Sequence, residues 1–292
     1  MTICVDMGAT EIKVAPIKEK NNEIFVGEVQ RFPTNAYLGK QGIVNALRGA
    51  IASLYNADVD GVAIASAGDI DTISSVITYA TENLPGMIGF DFAEFCMQEF
   101  NLPARAINDA HAALLGEMVY GVGKAHLDKR VVMLTLGSGV GGGYFADGDI
   151  VANEENDYGR FGHICLEKDG RPCTCGKLGC VEMYLSGRAI HRDADKMGID
   201  GPDIFEKYAQ GEAKNVEFVE AFRNNLKITL DKVMSVSPFD VCIMGGGVAD
   251  WMGEHFSSIT KDLGYSIIRA SLGNSAGIYG AYAQYNKERK IK

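Results

Sequence analysis

The chain opens with a short apolar run at 3–6, a Gly-Ala-Thr turn, and a second run at 11–17 in which Ile12, Val14 and Ile17 alternate with polar residues. Period-two alternation around a glycine turn predicts an opening β-hairpin. Residues 24–32 read as a third strand, and 41–54 as a helix because the apolar positions recur at helical spacing. A wholly apolar strand at 61–67 stops at Gly68-Asp69, a Pro-Gly loop follows at Asn83-Leu84-Pro85-Gly86, and 91–100 reads as a helix with an acidic first turn. A strand at 104–107 then runs into a helix at 110–120, with Asn108-Asp109 at the junction and His111 expected on the helix's exposed side.

The second half repeats the scheme. A buried strand at 130–136 leads into LGSGVGGG, read as a turn, and 144–151 folds back on itself at Asp147-Gly148. Helical patterns cover 182–197, 202–210 and 215–236, the last closed by Pro238. A strand at 241–244 delivers Gly245-Gly246-Gly247, and a final helix at 276–287 is expected to return to the first domain. Alternating strands and helices imply an α/β protein. Strand, glycine-and-hydroxyl turn, strand occurs at 3–17 and again at 131–145, so the chain reads as two duplicated halves with phosphates received between the turns.

Composition narrows the function. With 292 residues, 47% hydrophobic and 23% charged, the chain can bury a core of one large or two medium domains. Lys and Arg number 28 against 38 Asp and Glu, a net charge of −10, and no basic stripe forms. Nucleic acid is disfavoured as a partner and a small molecule favoured. No apolar run approaches the ~18 residues of a membrane span, and no targeting peptide precedes the first strand, so a cytoplasmic protein with no membrane partner is expected.

Three stretches carry chemistry. His163, Cys173, Cys175 and Cys180 are gathered around Gly176 and Gly179, which lets a tight knuckle turn one imidazole and three thiols to one point. That set predicts a closed, structural Zn²⁺ site. Packing cysteines are the plainer alternative, but three within a polar, glycine-rich segment do not suit it, and an odd total of seven cysteines argues against disulfides. In the opening turn, Gly8 lets the backbone approach an oxyanion, the Thr10 hydroxyl can donate to it, and Asp6 can hold Mg²⁺ or its waters. Gly137, Ser138, Gly139, Gly141, Gly142 and Gly143 would leave N–H groups open to phosphate oxygens, although a glycine run can equally mark close strand packing. Asp109 admits two readings: an ordinary helix N-cap, or a carboxylate beyond a strand end that accepts a substrate hydroxyl proton.

Gly162 and His163, the cysteines and glycines of 173–182, Glu182, Tyr184, Ser186 and Gly187 closely resemble the signature of the ROK family of sugar kinases. The likeness extends to the DMGAT turn, to Asn108-Asp109-Ala110, to Gly245, Gly246 and Gly247, and to Leu272-Gly273-Asn274-Ser275-Ala276-Gly277, where Ser275 replaces a customary Asp. It implies an actin-like, hexokinase-type ATPase fold with duplicated mixed sheets and an interdomain cleft. The domains would be 1–118, completed by 276–292, and 119–275. It further implies a cytoplasmic, ATP- and Mg²⁺-dependent kinase acting on the 6-hydroxyl of glucose, an N-acylhexosamine or a β-glucoside, and a homodimer. Asp109 would be the base. Gly68, Asn83, Asn108, Asp109, His163 and Glu182 would line the sugar, and Asp6, Gly8, Thr10, Lys13, Gly137, Ser138, Gly139, Gly141 and the 245–247 glycines the nucleotide. Arg160 stands where the family usually has a glutamate that accepts from hydroxyls at sugar carbons 1 and 2; an arginine has only donors. It would then either face a substrate modified there, or point to solvent or pair with Glu154, Glu155 or Asp157. The family also holds sugar-responsive repressors, but these carry a helix-turn-helix module before the first phosphate motif, which here begins at Asp6. A noncatalytic sugar-binding protein is the third reading.

Overall fold

The computed structural model describes residues 1–21, 23–153, 155 and 157–290. Two compact units partition the chain, Met1–Tyr120 with Ser275–Lys292, and Gly121–Asn274. Among the described residues, no helix is long and apolar enough to cross a membrane.

The first unit begins with β1 (Thr2–Met7) and β2 (Glu11–Lys20), followed by β3 (Glu23–Val26), β4 (Gln30–Pro33) and α1 (Gly39–Ala52). Then come β5 (Gly61–Ser66), a small hairpin of β6 (Asp69–Asp71) and β7 (Val76–Tyr79), α2 (Phe92–Phe100), β8 (Ala104–Asn108) and α3 (Asp109–Tyr120). The main sheet runs β3-β2-β1-β5-β8. β1 pairs antiparallel with β2 and parallel with β5, which pairs parallel with β8. Every residue of β5 is buried, as is every residue of β1 except Asp6. Such strands, covered on both faces, read as unbroken apolar runs.

The expected third strand is in fact two. β3 pairs with the far half of β2 and β4 with its near half. Gly27 crosses between them, donating to the Pro16 carbonyl at 2.8 Å. A Cβ on Gly27 would stand 2.7 Å from the Pro16 ring, so a continuous strand bearing side chains would meet that ring.

The second unit contains β9 (Val131–Leu136), β10 (Val140–Ala146), β11 (Asp149–Ile150), α4 (Glu182–Leu185), α5 (Gly187–Met197), α6 (Ile204–Ala209) and α7 (Ala213–Val236). β12 (Val241–Gly245), α8 (Gly247–Met252), α9 (Phe256–Thr260) and β13 (Ile267–Arg269) complete it. Its sheet, β11-β10-β9-β12-β13, repeats the first unit's scheme of an antiparallel hairpin followed by parallel strands. Phe218, Phe222, Leu226, Leu230 and Val233 of α7 pack in one core with Val132, Leu134 and Met244 of the sheet, as their helical spacing requires.

Two expectations in this unit are corrected. Only Gly137-Ser138-Gly139 forms a turn, because Val140 to Gly143 are ladder residues of β10 facing Leu136 to Met133. The plainer reading of the glycine run holds at Gly142, where a Cβ would lie 2.5 Å from the Phe161 ring and 2.7 Å from the Gly159 carbonyl. The helix read at 182–197 also breaks at Ser186, which turns extended (ψ 156°) and caps α5 by accepting from the Ala189 N–H at 3.2 Å.

The chain returns to the first unit in α10 (Ala276–Lys290), which packs along α3. A Cβ on Gly116 would stand 2.5 Å from the Ala276 carbonyl, and one on Gly280 would overlap the Ala112 carbonyl. α3 is buried along most of its length, and His111 is itself buried at 9% exposure rather than exposed as expected. Gly280→Ala is therefore expected to cost about 2 kcal/mol or more, read as a lowered midpoint in urea. Gly49→Ala in α1, where a Cβ meets nothing within 4 Å, should stabilise by about 0.5–1 kcal/mol, read as a raised midpoint. Equal midpoints would contradict the close crossing.

Candidate functional site

In the second unit, the segment after β11 makes a one-turn helix Phe161–His163 and then the knuckle. Two short bridges, Cys165 with Cys180 and Pro172 with Leu178, fold 164–181 back on itself. Gly176 (φ 85°) and Gly179 (φ 69°) adopt left-handed backbone, and a Cβ on Gly179 would overlap the Glu167 carbonyl. The ligand atoms of His163, Cys173, Cys175 and Cys180 all lie within 4.8 Å of one another. Cys173 Sγ stands 3.7 Å from His163 Nδ1, and Cys175 Sγ 3.6 Å from Cys180 Sγ. Ligands about 2.3 Å from a tetrahedral zinc are separated by about 3.7 Å, so the set is compatible with a structural zinc. Burial pushes the Cys173 and Cys180 thiols up and the His163 imidazole down. A dication would supply the field that ionises the thiols.

The chain just beyond the knuckle holds the Gly137-Ser138-Gly139 turn. Glu182, buried at the start of α4, accepts from the Val140 N–H through Oε2 at 3.0 Å. Gly187 N–H donates to the Gly137 carbonyl at 2.7 Å, and Arg188 Nε to the Ser138 carbonyl at 2.6 Å. A Cβ on Gly139 would collide with the Glu182 carboxylate. Gly141 lies beyond the turn, opposite Thr135 in the ladder. Gly246 (φ 86°) comes so close to β9 that a Cβ would stand 2.6 Å from the Leu136 carbonyl, while Gly247, at the start of α8, is open. Gly245 ends β12 opposite Thr135. The 245–247 turn and the 137–139 turn are thus neighbours.

Arg160 has a partner. Its Nη2 contacts Asp157 Oδ1 at 2.7 Å, its Nε donates to the Asp157 carbonyl at 3.2 Å, and its guanidinium lies 5.4 Å from the Tyr158 ring centre. Glu154 lies outside the described residues. Asp157, Tyr158 and Gly159 all have positive φ (49°, 55°, 76°), a costly run for two non-glycine residues.

In the first unit, Asp6 and Lys13 face each other across the β1–β2 hairpin and pair at 3.0 Å, both largely shielded. The Gly8 N–H is used within the turn, donating to the Glu11 carbonyl at 2.9 Å, and the Gly8 carbonyl accepts from Thr34 Oγ1 at 2.8 Å. Thr10 is exposed. A Cβ on Gly277, in the first turn of α10, would lie 2.8–3.0 Å from the Asp6 carboxylate.

At the end of β8 the N-cap of α3 proves to be Asn108. Its Oδ1 accepts from the Ala110 and His111 N–H groups at 2.9 and 3.0 Å. Its Nδ2 donates to the Gly68 carbonyl at 2.8 Å and to Asp109 Oδ1 at 3.1 Å. Asn108 therefore arrives with all its hydrogen-bonding capacity engaged. Gly68 (φ 91°) is fixed against the Tyr79 carbonyl, 2.7 Å from where its Cβ would be. Asn83 is half-buried in a loop underpinned by buried Leu84 and Met87. Asp109 is thereby released from the capping role. Its Oδ1 accepts from the Ala110 N–H at 2.9 Å, and among the described residues Oδ2 has no partner. The residue keeps some solvent contact, yet its carboxyl is crowded by protein. Lost solvation, then the Asp6 charge, push it up to about 6, against the lowering effect of its N–H bond and of Lys13. The sequence marks Gly277 only as part of the 272–277 stretch and does not mark Arg188 at all, since no local pattern reveals a role set by a distant segment.

Each unit carries a hairpin with a glycine turn and parallel strands whose ends bear polar groups, the hexokinase-type, actin-like arrangement of an α/β ATPase fold. Residues 2–288 match the family described as the ROK family, and the chain belongs to it. A ROK family glucokinase from Streptomyces griseus, solved with glucose and AMPPNP, superimposes with a TM-score of 0.78 and 28% identity, covering 96% of this chain and 97% of that one. The N-acetylmannosamine kinase of Shigella boydii is 28% identical over 290 residues, 96% of each chain. The glucokinase of Streptomyces coelicolor is 28% identical with the same coverage, 96% of each.

The knuckle makes a direct prediction. Protein purified without chelator should carry about one zinc per chain by elemental analysis, and Cys180→Ser should lose most of it. Less than about half an equivalent in freshly prepared protein would contradict the closed S₃N site.

Proposed function

We propose that the protein is an ATP-dependent kinase that transfers a γ-phosphoryl group to the 6-hydroxyl of a hexose or hexose derivative. The observation that carries this reading is Asp109, a carboxylate beyond a strand end with one oxygen uncommitted and its proton affinity raised to about 6. Membership of a family that includes sugar kinases supports it. Sugar hydroxyls would be met in the first unit by Asp109 and Asn83, with Asn108 and Gly68 fixing the strand end. In the second unit, His163 and Glu182 are the sugar residues the family likeness implies, and Glu182 would in addition brace the Gly137–Gly139 turn. The Gly137–Gly139 and Gly245–Gly247 turns would receive the nucleotide. Asp6 offers a partly shielded carboxylate for a hard cation, with Lys13 beside it. Mg²⁺ bound there supplies charge neutralisation for phosphates. Asp109 takes the hydroxyl proton as the oxygen attacks, and positioning with charge stabilisation does the rest.

Asp109→Asn leaves the Asn108 cap untouched, so folding and ligand affinity should persist while kcat falls at least about a hundredfold. In the wild type the working form is the carboxylate. kcat/KM should therefore fall as pH drops through about 6, where Asp109 takes up a proton, and be flat above it. A pH-independent rate from 5 to 8, or near-normal turnover in Asp109→Asn, would make Asp109 a structural residue.

The substrate class turns on Arg160. Held by Asp157 along one edge of its guanidinium, Arg160 would turn N–H groups to the sugar, where it cannot accept from hydroxyls at carbons 1 and 2. A β-glucoside or N-acylhexosamine should then be preferred over free glucose, by about tenfold or more in kcat/KM. Arg160→Glu should move the preference towards glucose. A wild-type enzyme using glucose at least as well as every modified hexose would defeat this assignment.

A further inference from the structure

Arg188 has no part in the roles above beyond gripping the turn. It is the second residue of α5, with a side chain 59% exposed, yet its Nε is anchored on the Ser138 carbonyl at 2.6 Å. That bond uses one of the five N–H groups of a guanidinium. Nη2 stands 4.0 Å from Glu182 Oε1, beyond hydrogen-bond range. Among the described residues, neither Nη nitrogen has a hydrogen-bond partner.

The charge balance of the turn gives this a meaning. In the Gly137-Ser138-Gly139 turn the Gly137 N–H is spent on the Gly139 carbonyl at 2.9 Å, which leaves the Ser138 and Gly139 N–H groups and a hydroxyl, with no cation of its own, and directly behind it lies the buried Glu182 carboxylate. A polyphosphate drawn to that turn approaches a fixed negative charge in a chain that is already acidic overall. A planar guanidinium, tethered at one edge and open at the other, matches phosphate oxygens in geometry and in sign.

We propose that Arg188 is a phosphate-contacting residue of the nucleotide site: its Nε holds the turn while its Nη groups receive a phosphate oxygen and screen Glu182. This rests on the kinase reading above. An arginine that merely props the turn is matched by a glutamine, whose amide can still donate to the Ser138 carbonyl, and its effect is insensitive to salt, whereas a phosphate contact needs the positive charge and discriminates by phosphate content.

Calorimetric titration of the full chain with ATP, ADP and adenosine separates the two, using wild type, Arg188→Gln and Arg188→Lys. Arg188→Gln should weaken ATP and ADP by about ten- to a hundredfold and leave adenosine within about twofold. Arg188→Lys should recover part of the loss, as a point charge without the planar fork, and added salt should narrow the gap. Unchanged ATP affinity in Arg188→Gln would overturn the proposal, as would adenosine weakened as much as ATP. A wild-type chain that binds neither ATP nor ADP would overturn the kinase reading and this assignment together, and the wild-type titration alone shows which has failed.

Discussion

A poorly solvated carboxylate held near a second carboxylate is the constraint on which the first unit depends. Asp109 pays for its position in a raised proton affinity, first through lost solvation and then through Asp6. The pair persists because each member has local support. Lys13 neutralises Asp6 across the hairpin, and Asn108 and the Ala110 N–H both donate to Asp109. The geometry is locked from further away by α3 and α10, which cross at Gly116 and Gly280 with backbones in contact. In the same helix, Gly277 abuts the Asp6 carboxylate. A glycine near the C-terminus is thus tied to a carboxylate in the first strand, and packing and the Lys13 ammonium together hold the pair.

The second unit solves a parallel problem with a carboxylate used as a bracket. Glu182, just past the knuckle, reaches the Val140 N–H, and the next turn of chain supplies the Gly187 and Arg188 bonds to Gly137 and Ser138. Knuckle and glycine turn are therefore mechanically continuous. Whatever fixes the four soft ligands also fixes the start of α4, and through it the backbone donors of the turn. The same continuity explains why so many positions between 137 and 187 admit no side chain: Gly139 faces Glu182, Gly142 faces Phe161, and Gly162 would overlap Val140.

Much of this was legible from the sequence where the signal is local. Cysteine and histidine spacing points to the knuckle because its ligands come from one short loop. Asp109 stands out because a strand running into a helix exposes whatever lies at the joint. What escaped depends on partners far along the chain. α3 reads as having an exposed side until α10 returns from more than 150 residues later to pack on Ala112 and Gly116. Residues 24–32 read as one strand until the Pro16 ring forces a glycine crossing. The capping competition at 108–109 is invisible in the sequence, since both residue types cap well and only the Asn108 bonds to Ala110, His111 and Gly68 decide it. The glycine run near 140 was ambiguous in itself, with turn and close packing sharing one composition, and the structure divides it between the two.

The central claim, that Asp109 is held as a proton acceptor by its setting, is tested most directly by following its side-chain carboxyl carbon by NMR as pH is varied, in the wild type and in Asp6→Asn. The account predicts a wild-type midpoint at about 6, and a lower one in Asp6→Asn because the neighbouring negative charge is gone. A wild-type midpoint in the ordinary aspartate range, unmoved by Asp6→Asn, would contradict it.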